Sequence, residues 1–262
     1  MQKAYNCVHH INAHMQEKNY DGITIIELEQ IPKGLIAIEG FPDIGLVGAI
    51  ASSYLIEALN LRPVAIIKSH LMPPIQAVHD GVIVEPIKVF GNESLLVISS
   101  EVPIPINLII PLSRALAQWL SEKKIGMLIS LNGYPSQKRI DQNEPNVIAV
   151  TNNASLIETL KQRNIEILDN GFISGIFAML MSELASKGIN AIALISQAYE
   201  NYPDPGAAAA ALKAMSELIN IKIDLKPLLD KADEMRVAMS NLVRQTTAQK
   251  QAIESSLASM YR

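Results

Sequence analysis

Residues 34–48 read Gly34-Leu35-Ile36-Ala37-Ile38-Glu39-Gly40-Phe41-Pro42-Asp43-Ile44-Gly45-Leu46-Val47-Gly48, and this stretch decides the fold class. The apolar run from Gly34 to Phe41 is short and bounded by glycine, which suits a buried strand ending at Gly40. Pro42, Asp43 and the following glycines turn the chain, and an apolar stretch to about Asn60 reads as a helix. A buried strand passing through a glycine turn into a helix is the repeating unit of α/β proteins. The same geometry can hold a phosphate on the free amides of a helix N-terminus. Here Gly40, Gly45 and Gly48 fit neither G-x-G-x-x-G nor a P-loop, no lysine follows, and Pro42 removes one amide from any such nest. The glycines are better read as permitting a tight turn and close helix packing.

Working outward, the pattern recurs. Residues 23–28 and 63–69 read as strands, and 82–90 and 94–100 as a strand pair turned by Gly91-Asn92. A helix follows over 107–122, with Ile110, Leu116 and Leu120 at helical spacing. Residues 125–131 form a buried strand stopped by Asn132-Gly133-Tyr134-Pro135, and 136–146 are polar and loop-like. Strands at 147–150 and 189–197 alternate with helices at 154–163 and 172–187, the latter closed by Gly188. Tyr202-Pro203-Asp204-Pro205-Gly206 starts an Ala-rich helix to about Asn220. The expected fold class is α/β, with a mostly parallel sheet flanked by helices on both faces and right-handed crossovers. The expected organisation is an N-terminal arm over 1–21, an α/β domain over 22–226 and a C-terminal helix with a docking tail over 227–262.

Composition narrows the function. Hydrophobic residues make up 49% of the 262, charged residues 18% and aromatics 5%, so a large aliphatic core is available. The formal net charge is −4 with no basic cluster, which leaves no electrostatic footprint for nucleic acid. Cys7 is the single cysteine, so no internal disulfide can form, and a reducing, cytoplasmic setting is expected. The first 20 residues carry no apolar h-region, and no run approaches the ~18 apolar residues of a membrane span.

Catalytic and metal signatures are weak. Cys7, His9, His10 and His14 could gather around a metal, with His10 and His14 on one helical face, but a loose arm explains them better. No G-x-S-x-G elbow is present. Glu85 and Glu101 lie at expected strand ends and are a candidate carboxylate pair, although nothing in the sequence assembles a nucleophile and an orienting group around them. No cofactor is implied.

The C-terminus carries more. From Leu228 to Tyr261 there is no Gly or Pro, and the run is rich in helix formers. Leu228, Ala232, Met235, Met239 and Leu242 alternate steps of four and three, a heptad seam suited to self-association or to packing on the chain's own domain. The chain ends Met260-Tyr261-Arg262: a hydrophobic residue, a tyrosine and a terminal carboxylate. The two side chains and the carboxylate form a compact recognition unit, with rigid buried area from tyrosine and charge-assisted hydrogen bonds from the carboxylate.

With these residues in view, the sequence resembles the archaeal and eukaryotic proteasome assembly chaperones of the type named for the second eukaryotic member. The resemblance is carried by the segment from Gly40 to Gly48, by Leu71-Met72-Pro73-Pro74 with Gly81 and Glu85-Pro86, and by Glu101-Val102-Pro103-Ile104. It continues through Leu131-Asn132-Gly133-Tyr134-Pro135, Gly171-Phe172-Ile173-Ser174-Gly175 and Tyr202-Pro203-Asp204-Pro205, and covers about residues 22–225. It implies a phosphorylase/hydrolase-like α/β fold used as a binding scaffold without catalysis, in a homo-oligomer. It also implies that Met260, Tyr261 and Arg262 match a hydrophobic-Tyr-any tail that enters pockets between α subunits of the 20S proteasome. Two alternatives stay open: a nucleoside-phosphorylase-like enzyme using the Gly40–Gly48 loop, and a scaffold unrelated to the proteasome.

Overall fold

The computed structural model describes residues 16–142 and 144–234. Its first half runs β1 (Gln16–Tyr20), β2 (Ile23–Glu27), β3 (Ile36–Gly40), α1 (Val47–Ala58), β4 (Arg62–Ser69), β5 (Ala77–His79), β6 (Val82–Val84), β7 (Ile87–Gly91), β8 (Leu95–Ser100) and α2 (Ile106–Glu122). The second half runs β9 (Met127–Pro135), β10 (Val147–Thr151), α3 (Ile157–Gln162), β11 (Glu166–Ile167), α4 (Ile176–Ser186), β12 (Asn190–Ala198) and α5 (Pro205–Ile219). Residues 226–234 are helical again.

One sheet takes the order β1-β2-β4-β7-β8-β3-β9-β12-β10-β11, and β5 and β6 form a separate hairpin. The central strands β8, β3, β9 and β12 are parallel. The wings differ. The pairs β1–β2, β2–β4, β4–β7, β7–β8 and β10–β12 are antiparallel, so the sheet is mixed rather than mostly parallel as the sequence suggested. The reason lies in the connections. A parallel neighbour needs a long crossover, whereas β1–β2 and β7–β8 are joined by two or three residues. Asp21-Gly22 and Asp80-Gly81 both turn with φ positive at each residue, the primed geometry that matches strand twist.

The edge strand β1 lies within the stretch expected as an N-terminal arm over 1–21. Residues 16–20 pair along the whole of β2, and Lys18 and Tyr20 reach Glu122 of α2 at 2.9 and 3.0 Å. A second expectation that changes is the strand stop at Asn132-Gly133-Tyr134-Pro135. Strand β9 continues through Pro135, in register with β12 to Ala198.

Helices cover both faces, as expected. On one face α2 and α4 bury Leu112, Leu116, Trp119, Leu180 and Leu184 against Ile25, Val89, Ile98 and Leu128. On the other, α1 and α5 bury Val47, Leu55, Ala208, Leu212 and Met215 against Ile38, Val97, Ile129 and Leu194. Successive residues of the central strands serve opposite cores, which is why these strands read as continuous apolar runs. Buried Glu27 anchors α2 to the antiparallel wing by accepting from Trp119 Nε1 at 2.8 Å and from Lys123 Nζ at 2.5 Å. No helix among the described residues is long and apolar enough to cross a membrane.

Candidate functional site

The four parallel strands end on the same side of the molecule, and the motif segments follow them: Phe41–Ile44 after β3, Glu101–Ile104 after β8, Gly133–Pro135 at the end of β9 and Tyr202–Pro205 after β12. The helices that follow β3 and β8, adjacent strands, lie on opposite faces. A crevice opens at such a switch point in α/β sheets, and ligands of open α/β folds bind there.

Backbone approach builds one side of it. A Cβ on Gly48 would lie 2.5 Å from the Phe41 carbonyl oxygen and 2.6 Å from that of Leu131, so only glycine lets α1 descend onto β3 and β9. Gly45 and Leu46 both take the left-handed conformation that swings the chain from β3 into α1. The glycines therefore serve a tight turn and close packing, as read from their spacing. Asp43 occupies the place where an anion would sit. Its Oδ1 accepts the Gly48 amide at 3.0 Å and its Oδ2 accepts the Gly133 amide. The chain's own carboxylate thus fills the nest.

Beneath it lies Glu39, 1% exposed, on the α2/α4 face of β3. Its Oε1 accepts the Phe41 amide at 2.9 Å, its Oε2 accepts the Ser130 hydroxyl, and Asn132 Nδ2 donates to that hydroxyl at 2.9 Å. Burial pushes the Glu39 carboxyl up to about 7 against the pull of both hydrogen bonds. Asp43 is raised to about 7 as well, chiefly by burial and in smaller part by the nearby Glu39.

These carboxyls border a cleft of about 660 Å³. Its walls are Phe41, Ile104, Ile109, Ile148, Ile173 and Phe177. Fully exposed Phe172 also borders it. Among the described residues that line it there is no Lys, Arg or His. Of the cations nearest in sequence, Arg62 pairs with Glu29 at 2.9 Å and Lys68 with Glu85 at 2.8 Å, while Lys33 lines a separate groove beside β2. The phosphorylase-like alternative finds no cation among the described residues of the cleft, and the Gly48 and Gly133 amides of its loop are already taken by Asp43.

The expected carboxylate pair is split between different partners. Glu85 holds Lys68, while Glu101 takes His79 Nε2 at 2.6 Å and Lys88 Nζ at 3.1 Å, tying the β5–β6 hairpin to the sheet. Cys7, His9, His10 and His14 lie outside the described residues. Among those described, no group of three or more His, Cys, Asp or Glu could hold a metal ion.

Sequence reading missed Arg139, which sits in the stretch expected to be a polar loop but is 4% exposed. Its Nε and Nη2 grip Asp204 at 2.7 and 2.9 Å, and its guanidinium lies 4.8 Å from the Tyr199 ring centroid. Asp204 in turn caps α5 through the Ala207 amide at 2.9 Å. Nothing in the spacing of two residues 65 apart signals this pair. Glu39 was more legible, as a lone carboxylate in a buried apolar strand just before a turn.

At the C-terminal end, Asp224 Oδ1 accepts the Lys226 amide at 3.0 Å, and Pro227 falls in the first turn of the 226–234 helix. Of the seam residues, Leu228 is 4% exposed and belongs to the α1/α5 core, and Ala232 faces Gly206 of α5. Met235, Met239 and Leu242 lie outside the described residues, as do Met260, Tyr261 and Arg262 and the rest of the expected long helix.

The chain is similar to solved structures over most of its length. Pyrococcus furiosus PbaA, an archaeal homolog of proteasome-assembly chaperone, superposes with a TM-score of 0.76 at 21% identity, over 91% of this chain and 99% of that one. Pyrococcus furiosus PbaB, an archaeal proteasome activator, gives 0.77 at 23% identity, over 84% of this chain and 98% of that one. An uncharacterized protein of Methanocaldococcus jannaschii is 26% identical over 226 residues, covering 86% of this chain and 92% of its own length. The PAC2 family model matches residues 37–243, from the second residue of β3 past the last described helix, and the chain belongs to the PAC2 family.

Proposed function

We propose that this chain is a proteasome-binding assembly chaperone or activator-like factor that acts by docking rather than by catalysis. The observation that carries the reading is the combination of a PAC2-family body with a C-terminal Met260-Tyr261-Arg262. Two proteins of the same fold support it, one a homolog of proteasome-assembly chaperone and one a proteasome activator. In this reading Met260 and Tyr261 insert between neighbouring α subunits of the 20S proteasome, and the Arg262 carboxylate pairs with a pocket cation. One three-residue tail binds weakly. Several tails presented by a cytoplasmic homo-oligomer gain effective concentration, and affinity then rises by about 10²-fold or more without new contacts. The candidate seam for that oligomer is Met235, Met239 and Leu242, continuing the line of Leu228 and Ala232.

The test is co-sedimentation of the full chain with 20S proteasome, together with peptide hydrolysis by the mixture. Tyr261→Ala, or deletion of Tyr261 and Arg262, is expected to weaken binding at least tenfold, about 1.4 kcal/mol in all, while circular dichroism stays unchanged. Undiminished binding by both variants would reject the tail as the docking element.

A further inference from the structure

The cleft at the switch point is a built cavity that the docking role does not use. Its size falls within the range of small-molecule sites, which are mainly apolar with a few converging polar groups. The walls come from the starts of α2 and α4 and from β10 and β12, through Ile109, Phe177, Ile148 and Ile195. The floor comes from adjacent strands, with Glu39 on β3 and Asn132 on β9. Asn132 donates its amide to Ser130, which leaves its Oδ1 as an acceptor. No cationic side chain among the described residues lines the cavity. Above about pH 7, where Glu39 and Asp43 are ionised, the charge that the described residues bring to the space is negative, and the carboxylates and Asn132 Oδ1 at its floor accept.

We propose that this cleft binds a small primary amine, with the ammonium bonded to Glu39 and Asn132 Oδ1 and a branched or aromatic body filling the apolar space below Phe172. An ammonium supplies three donors and the charge that a buried carboxylate lacks, so its contact with Glu39 is a charge-assisted hydrogen bond in a low-dielectric setting. An anionic ligand is refused by the two carboxyls. A bare metal ion leaves the isoleucine and phenylalanine walls unused. The proposal is independent of the tail, and either can fail without the other.

The experiment is calorimetric titration of the full chain at about pH 8.5, where the carboxyls are ionised and the amine is still protonated, with phenethylamine, 2-phenylethanol and 3-phenylpropionate, which share one body and differ in the head group. The amine is expected to bind at least tenfold more tightly than the alcohol, and the carboxylate not to bind. Glu39→Gln should remove the preference, leaving amine and alcohol equal. Ile104→Trp, which narrows the cleft without touching the carboxyls, should abolish both, and an unchanged urea midpoint by far-UV circular dichroism in each variant checks that the core is intact. Equal binding of amine and alcohol by the parent chain overturns the proposal. So does an amine preference that survives Glu39→Gln, or no binding by any of the three.

Discussion

Glu39 spends both of its oxygens on neighbours in its own chain, Phe41 and Ser130, yet burial dominates and keeps its proton on up to about pH 7. The unfolded chain releases that proton near 4.5, the ordinary value for glutamate. Between those two pH values the folded state binds more protons than the unfolded state, so stability falls as pH rises through the window and is level on either side. At about 1.4 kcal/mol per unit of pKa, the Glu39 share is a few kcal/mol. Glu39→Gln has no proton to lose. It is expected to be more stable than the parent at about pH 8, with that advantage gone at about pH 4. Urea titrations at the two pH values measure the difference, and an advantage equal at both would show that burial of the charge is not its cause. Asp43 titrates in the same direction but also holds the amides of Gly48 and Gly133, so its replacement would confound charge with the docking of α1.

At the scale of elements, the Arg139–Asp204 pair joins the loop after β9 to the start of α5. Asp204 carries three duties: it caps α5 through Ala207, accepts the Tyr199 amide at 3.2 Å and neutralises Arg139. Removing one member of a buried ion pair strands the other. Asp204→Ala is expected to cost about 3–5 kcal/mol in chemical denaturation, because a buried guanidinium is left with no counter-charge and the helix loses its cap. Arg139→Met should cost clearly less, since the Asp204 carboxylate keeps two backbone donors. Equal losses would mean that the capping and the charge are not separable. Asp-Gly turns show the same economy at another pair of elements, where two residues settle that β1 and β2 pair antiparallel.

At the scale of the whole molecule, the helix that begins at residue 226 is rooted in the body. Leu228 packs in the same core as Leu55 and Leu212, and the Tyr54 hydroxyl donates to the Asp224 carbonyl just before the helix. Leu228→Ala is therefore expected to lower the stability of the folded chain by about 3 kcal/mol, by the same amount at every protein concentration. Met235→Glu with Met239→Glu should instead change the oligomeric mass measured by light scattering and leave the thermal transition of the body in place. A concentration-dependent loss for Leu228→Ala would move that residue into the interface between copies.

Much of this protein follows from sequence alone. The strand–turn–helix at 34–48, the elements on both sides of it and the covering of both sheet faces can be read from period and punctuation, since these are local consequences of backbone geometry and burial. The segments from Gly40 to Gly48 and from Tyr202 to Pro205, with their neighbours, were enough to indicate the family. The Asp-Gly pairs that turn two hairpins are equally local signals, since φ is positive at both residues of each. What only the tertiary structure decided is non-local. Strand order and the mixed character of the sheet depend on which edges meet, and hydropathy cannot encode that. Arg139 finds Asp204 across 65 residues of chain. Glu39, Asn132 and the walls of the cleft come from six separate segments, and they become one site only because the parallel strands end together at a switch point, where the helices part to opposite faces.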